Sequence, residues 1–262
     1  MADRVRVTLL GTGTSTGIPV IGCTCSVCTS SDPRDTRTRC SALVQVDGLS
    51  ILIDAGPDFR AQALRENIGH IDAVLFTHHH FDHVVGLDDL RPFLFRNKSP
   101  IPCYAPPETE RVVRQMFSYI FDDGSYPGVA NLTLHALGRE PLNVASRDSG
   151  DTTRVIPIPA WHGETPVYGY RFGNVAYLTD TNRIPESSME LLDGVEVLIL
   201  DALRRRPHPT HFSFDEAIEV SRKVKARETW LVHMTHTVGH AEEDQAMPDG
   251  VRLAYDGLVV GA

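Results

Sequence analysis

The chain has 262 residues, 42% of them hydrophobic, and a formal net charge of -9. That is enough apolar material for one sizeable core, and the acidic balance argues against standing association with nucleic acid or an anionic membrane. No apolar run approaches the roughly 20 residues of a membrane span, the first strand begins without a signal-peptide layout, and five cysteines, an odd number, do not suggest a disulfide framework. The expectation is a cytoplasmic enzyme, folded as one domain over 1–262.

In chain order, residues 5–10 predict a strand that ends in Gly11-Thr12-Gly13-Thr14-Ser15-Thr16-Gly17. This run lacks the lysine and the spacing of a P-loop, so it reads as a glycine-supported turn. Next comes Cys23-Thr24-Cys25-Ser26-Val27-Cys28, inside a cysteine-rich loop at about 22–40. Three thiols in Cys-x-Cys-x-x-Cys spacing, in a reducing compartment, favour a structural zinc over disulfides. A closed tetrahedral site needs a fourth ligand, and Cys40, His236 and His240 are all available. Residues 41–46 and 49–54 predict a hairpin around Asp47-Gly48. Its second strand ends at Asp54, a carboxylate placed to brace a neighbouring loop by hydrogen bonding. Residues 58–67 predict a helix with Phe59, Ala63 and Leu64 on its apolar side.

The chain is organised around Thr77-His78-His79-His80-Phe81-Asp82-His83, directly after the apolar run Ala73-Val74-Leu75-Phe76. A buried strand that ends here curls its backbone and aims alternate side chains at common points. His78 and His80 can share one metal while Asp82 and His83 hold another. Imidazole with carboxylate suits zinc, manganese or iron. Residues 84–90 read as the start of a helix. Residues 106–121 predict a clearer helix, with Val112, Val113, Met116, Phe117 and Ile120 as core. A surface loop over 122–130, a short strand at 132–134 and a connection over 146–153 follow.

Three further metal-binding side chains stand at predicted strand ends: His162, Asp180 and His233. Asp180 is the natural bridge between two cations, and two cations a few ångströms apart suit hydrolysis of phosphate esters. Residues 185–192 predict a short helix, and 195–200 a buried strand ending at Asp201. Arg204-Arg205-Arg206 offers forked donors for phosphate, but a solvated loop is the favoured reading. His211 precedes an amphipathic helix that starts in 212–218, with Ser213 or Asp215 as its cap. Residues 251–254 and 258–260 predict closing strands.

The motif His78-x-His80-x-Asp82-His83, followed in order by His162, Asp180 and His233, resembles the metallo-β-lactamase superfamily over nearly the whole chain. The resemblance implies an α/β fold, a four-layer αβ/βα sandwich with metals in the cleft between two mixed sheets. It implies His78, His80 and His162 on one metal, Asp82, His83 and His233 on the other, and Asp180 between them. The cysteine loop looks like that of the cyclic phosphodiesterases of the carbon–phosphorus lyase pathway. That likeness implies a phosphoric diester hydrolase acting on a small cyclic substrate such as 5-phosphoribosyl 1,2-cyclic phosphate. It implies two divalent ions, manganese or zinc, at the active site. It also implies a structural zinc held by Cys23, Cys25, Cys28 and His236, leaving His240 as a solvent-exposed histidine. The family places a non-ligand histidine beside the metals; carried over, His211 protonates the leaving oxygen or holds the phosphate. Relatives are commonly dimers, so a homodimer is open. Three rival readings stand beside this one. They are a tRNA 3′-processing endonuclease, a relative of the pyrroloquinoline quinone biosynthesis B protein, and a binding scaffold whose metals are only structural. No long Gly/Lys/Arg-rich insertion is present to serve as the first rival's tRNA-gripping arm. Relatives of the B protein depart from the metal motif, which is complete here.

Overall fold

The computed structural model describes residues 5–95, 99–122 and 128–261. Among the described residues, fourteen strands form two seven-stranded sheets. The first sheet contains β1 (Arg6–Gly11), β2 (Ser41–Val46), β3 (Leu49–Ile53), β4 (Ala73–Leu75), β5 (Ile101–Ala105) and β6 (Leu132–Ala136) in sequence order. The second contains β7 (Leu142–Ala145), β8 (Thr152–His162), β9 (Thr165–Phe172), β10 (Val175–Leu178), β11 (Val197–Asp201), β12 (Glu228–Val232) and β13 (Val251–Leu253). The last strand, β14 (Val259–Gly261), returns to pair with β1 at the edge of the first sheet. Both sheets are mixed: β3 to β6 run parallel, as do β10 to β13, and the remaining pairs are antiparallel.

The period-2 alternation of these strands sorts their side chains into three apolar layers. Val7, Leu9, Val44, Ile51, Ile53 and Leu75 of the first sheet meet Tyr170, Phe172, Tyr177, Ile199 and Val232 of the second. The opposite face of the first sheet, with Leu52, Val74 and Phe76, packs on helices. These are α1 (Phe59–Arg65), α2 (Phe81–Val84), α3 (Pro107–Met116) and α4 (Ser118–Phe121). The outer face of the second sheet, with Ala176, Leu198, Leu200 and Leu231, is covered chiefly by α6 (Phe214–Val224). Between β10 and β11 lies α5 (Glu186–Met189), and α7 (His240–Gln245) follows β12. The arrangement is the expected four-layer αβ/βα sandwich. Ser213 caps α6 in a reciprocal box with Glu216, whose carboxylate accepts from the Ser213 backbone and hydroxyl.

Several expectations need correction. Leu64 is 63% exposed, and Gln62 takes the inward position of α1 by donating to Thr38 Oγ1 and to the Arg39 carbonyl. The helix over 106–121 breaks at Phe117, where φ is -114° and ψ 38°. The break turns Met116 out, 42% exposed, while Phe117 and Ile120 stay inside. The helix expected to start over 84–90 is present, but of the 3-10 type: α2 ends at Val84 and 3-10 turns run over Val85–Leu94. Gly86 donates to the Ala55 carbonyl there, and a Cβ on it would lie 2.1 Å from the Gly56 carbonyl oxygen. The chains are too close at that point for any residue but glycine. The strands β7 and β9 escape sequence reading, and β8 begins at Thr152 inside the expected connection. The strand expected to end at His162 is β8, and its Pro157 and Pro159 sit where β7 no longer pairs with it, since that pairing stops at Val155. Of the loop expected over 122–130, residues 123–127 lie outside the described residues. No helix among the described residues is long and apolar enough to cross a membrane.

Candidate metal centre

The histidines and carboxylates that sequence analysis singles out gather where strands of both sheets end. Three strand ends, after β3, β10 and β12, place Asp54, Asp180 and His233 at φ of 59°, 51° and 67°. A left-handed backbone is unusual for these residues and costs about 1–3 kcal/mol each. Each such kink breaks the pleat and swings its side chain out of strand register toward the cleft.

Two sets of donor atoms result. His78, His80, His162 and Asp180 form one, Asp82, His83, Asp180 and His233 the other, with all atoms of a set within 4.8 Å of one another. Asp180 belongs to both. One of its oxygens lies 3.3 Å from His83 Nε2, and the other 3.1 Å from His233 Nε2 and 3.8 Å from His78 Nε2.

The far nitrogens fix which face each ring presents. His83 Nδ1 donates to Asp54 Oδ2 at 2.7 Å. The Thr77 hydroxyl donates to that same oxygen at 2.8 Å, so the 3.0 Å contact between Thr77 Oγ1 and His78 Nδ1 takes its proton from the imidazole. His162 Nδ1 donates to the Thr210 carbonyl at 2.8 Å. In all three rings the Nε2 lone pair therefore faces the cluster. The Nε2 atoms of His78, His83 and His233 are buried and make no hydrogen bond. Buried orphan donors of this kind, converging on carboxylates, fit divalent cations.

The electrostatics agree. Burial, then the charge of His83, pushes His78 well below the ordinary histidine range, and burial lowers His80 and His162 too. These rings are neutral, as ligands must be. Burial would raise Asp180, but His233 and His83 beside it hold its carboxyl well below the usual range. Burial would lower His83, but Asp180 and Asp54 on its two sides outweigh it and raise the ring well above its usual range. A cation between these groups takes over the charge that the proton supplies.

Sequence analysis leaves Asp201 without a role, although it ends a buried strand as Asp54 does. It is fully buried. Its Oδ1 accepts from the Asp180 backbone N–H at 3.2 Å and from His211 Nδ1 at 3.1 Å, and lies 3.6 Å from His233 Nδ1. Its Oδ2 accepts from the Phe212 N–H at 3.0 Å. One carboxylate thus ties Asp180 to His211 and stands beside His233. His211 is buried, with its ring 4.5 Å from those of both His162 and His233. Burial would lower its pKa, but Asp201 raises it.

The cysteine loop forms a second cluster. The Sγ atoms of Cys23, Cys25 and Cys28 lie 3.3, 3.5 and 3.6 Å from His236 Nδ1. The Cys28 backbone N–H lowers the Cys25 thiol to about 6 against opposing burial, with help from Cys23 and His236. Four soft donors at this spacing fit zinc. The other two fourth-ligand candidates are elsewhere. Cys40 is fully buried beside Asp180 and Thr179, and burial pushes its thiol well above the usual range. His240 is not the exposed histidine expected: it is 2% exposed, and its backbone N–H donates to Asp35 Oδ1 at 2.7 Å. The glycine-rich turn runs between the two clusters. Thr14 N–H donates to the Met234 carbonyl, and Met234 N–H to that of Thr12, so the turn holds the segment that carries both His233 and His236.

A family model described as the β-lactamase superfamily domain matches residues 50–234. The chain belongs to that superfamily. A solved structure described as a new diphosphatase from the PhnP family is 46% identical, with a TM-score of 0.91, and the match covers 100% of this chain and 98% of that one. The octanoyltransferase of Porphyromonas gingivalis is 40% identical over 258 residues, 97% of this chain. This chain spans 51% of that protein, about half its length. Zinc-bound PqqB from Methylobacterium extorquens shares the fold, at 22% identity and a TM-score of 0.74, covering 97% of this chain and 99% of that one. The fold is thus one that a diphosphatase of the PhnP family and a zinc-bound protein also have.

Proposed function

We propose that the chain is a dinuclear phosphodiesterase that opens a small cyclic phosphate diester, with 5-phosphoribosyl 1,2-cyclic phosphate as the type substrate. The observation that carries the reading is Asp180, shared by two donor sets in which the outer nitrogens of His78, His83 and His162 are hydrogen-bonded away from the cleft. His78, His80 and His162 would hold one ion, Asp82, His83 and His233 the other, with Asp180 between them, and manganese or zinc suits these donors. Such ions, when bound, neutralise phosphate charge and make water nucleophilic at neutral pH.

The protein's own groups do the rest. Asp201 fixes the tautomer of His211, leaving Nε2 free to exchange a proton. His211 stands against His162 and His233, and protonates the departing alkoxide as the phosphorus–oxygen bond breaks. The diphosphatase relationship supports phosphorus as the atom attacked. A net charge of -9 supports a small substrate over a nucleic-acid partner.

The test is turnover by manganese-loaded protein, with a ribonucleoside 2′,3′-cyclic phosphate as control. We expect selective opening of the phosphoribosyl substrate. Replacing His211 by Ala should lower kcat by about 10²–10⁴-fold with metal content unchanged. Full turnover by that variant on every diester would remove the acid role. Absence of hydrolysis of bis-p-nitrophenyl phosphate at any metal loading would favour a scaffold, and cleavage of tRNA precursors a nuclease.

A further inference from the structure

We propose that Asn182 is a positioning residue for the proton transfer, clasping the loop that carries His211 to the strand end that carries His162. The inference rests on the phosphodiesterase reading with His211 as its acid, and it deepens that reading of the same site.

His162 is the last residue of β8, and His211 follows the loop that leaves β11 after Asp201. The two rings stand 4.5 Å apart although they come from separate segments. Past His211 the chain is well held. The Phe212 N–H donates to Asp201 Oδ2 at 3.0 Å and to the Thr181 carbonyl at 2.9 Å. Before His211 comes Pro207-His208-Pro209-Thr210. Two prolines deprive this stretch of two backbone donors, so what fixes it must donate to its carbonyls. Two side chains do. His162 Nδ1 donates to the Thr210 carbonyl at 2.8 Å, and Asn182 Nδ2 to the Pro209 carbonyl at 2.7 Å.

The Asn182 side chain also reaches the other way. Its Oδ1 accepts from the Gly163 N–H at 2.9 Å, directly after His162. A carboxamide suits this place because one planar group supplies both the acceptor and the donor. Its backbone is pinned to the same strand end. Asn182 N–H donates to the Trp161 carbonyl at 3.0 Å, and Trp161 N–H to that of Arg183 at 2.9 Å, an isolated antiparallel bridge. The Thr181 hydroxyl donates to the Trp161 carbonyl as well, at 2.9 Å. The loop and the turn after β8 are packed closely. Gly163 has a φ of +60°, and a Cβ on it would lie 2.9 Å from Thr210 Cγ2. The link through His162 passes through a metal-binding ring. The link through Asn182 runs parallel to it and holds Pro209, two residues before the acid, without touching a donor atom of the centre. Its loss therefore shifts His211 against the departing oxygen and leaves both donor sets intact.

The experiment compares the wild type with Asn182→Ala and Asn182→Asp on two substrates. One is the cyclic ribosyl diester, whose alkoxide departs with a proton; the other is bis-p-nitrophenyl phosphate, whose nitrophenolate departs without one. Asn182→Ala should lower kcat on the first about 10–100-fold and leave the second near the wild type, with metal content unchanged. Asn182→Asp keeps the acceptor for Gly163 but sets a carboxylate against the Pro209 carbonyl, so it should lose as much as the alanine variant. In a His211→Ala background, Asn182→Ala should add no further loss. Hydrogen–deuterium exchange over residues 207–212 should rise in Asn182→Ala. Equal losses on both substrates, losses that multiply with that of His211→Ala, or wild-type turnover of the cyclic diester by either variant would overturn the positioning role. Unchanged exchange over 207–212 would overturn the clasp itself. If the wild type turns over neither diester, the phosphodiesterase reading fails, and the exchange measurement still decides whether Asn182 holds the loop.

Discussion

Two clusters of metal-binding side chains lie three residues apart in sequence, at His233 and His236, yet they are built in opposite ways. Those of the cleft come from the ends of strands in both sheets, are mostly buried, and are oriented by Asp54, Asp201 and the Thr210 carbonyl. The cysteine loop has irregular backbone, and its fourth donor lies 213 residues beyond Cys23. Apart from the sulfur–histidine contacts, that loop is tied down by polar links. Buried Arg37 donates to the Val238 carbonyl at 3.0 Å, and Asp35 accepts from the His240 N–H. The cleft is thus preorganised by a hydrophobic sandwich. An ion on the four donors of the loop would supply much of what shapes it, because binding free energy there would be folding free energy.

The comparison is sharpest at Asp180. Replacement by Asn should abolish detectable turnover, a loss of about 10³-fold or more, and reduce cleft metal content by plasma mass spectrometry. The melting temperature should change little, since the sandwich does not need the ions. A large loss of fold stability would break the contrast. Next, Cys25→Ser should release about one equivalent of zinc and destabilise the fold by about 3 kcal/mol in denaturant titrations. Retained zinc in that variant would place the loop with the preorganised cleft. Asp54→Ala comes third. It removes the acceptor of both His83 Nδ1 and Thr77, and should weaken cleft metal affinity about 10–100-fold by competition with a chelator, with loop zinc unaffected.

The smallest effect concerns pH. Burial, with the charges of Arg34 and Arg37, lowers His240 from an ordinary 6.5 to about 4. As pH falls through this window the unfolded chain takes up the proton first, so folded stability drops between about pH 6.5 and 4 and levels below it. Denaturant melts of wild type and His240→Gln should converge by about 1–2 kcal/mol across that window, with the wild type losing more. Parallel curves would show that His240 is neutral to folding.

Much of the cleft was legible in the sequence because its ligands follow apolar runs. His78 after Phe76, Asp180 after Leu178 and His233 after Val232 each mark a buried strand that stops at a polar residue. Asp201 carries the same mark after Leu200. It was passed over because its partners Asp180, His211 and His233 are distant in sequence, and none advertises a shared acceptor. Leu64 and Met116 were misplaced for a local reason. Helical spacing locates an apolar stripe but cannot show that Gln62 has hydrogen-bond partners inside, or that the helix breaks at Phe117. The end of β8 at His162 was legible despite Pro157 and Pro159, but its start at Thr152 was hidden in a polar run that reads as a connection.

What the sequence by itself determined is the set of chemistries: which side chains can bind metal, in what local spacing, and at the ends of which apolar strands. Local spacing has a physical cause, since strand and helix periods aim neighbouring side chains. The tertiary structure decided which distant groups share a site. Left-handed turns at Asp54, Asp180 and His233 and the stacking of two sheets brought Asp180 between His83 and His233. The turn from β1 brought the cysteine loop to His236 rather than to Cys40 or His240. Those choices depend on packing and on the satisfaction of buried polar groups, energies that belong to the folded whole.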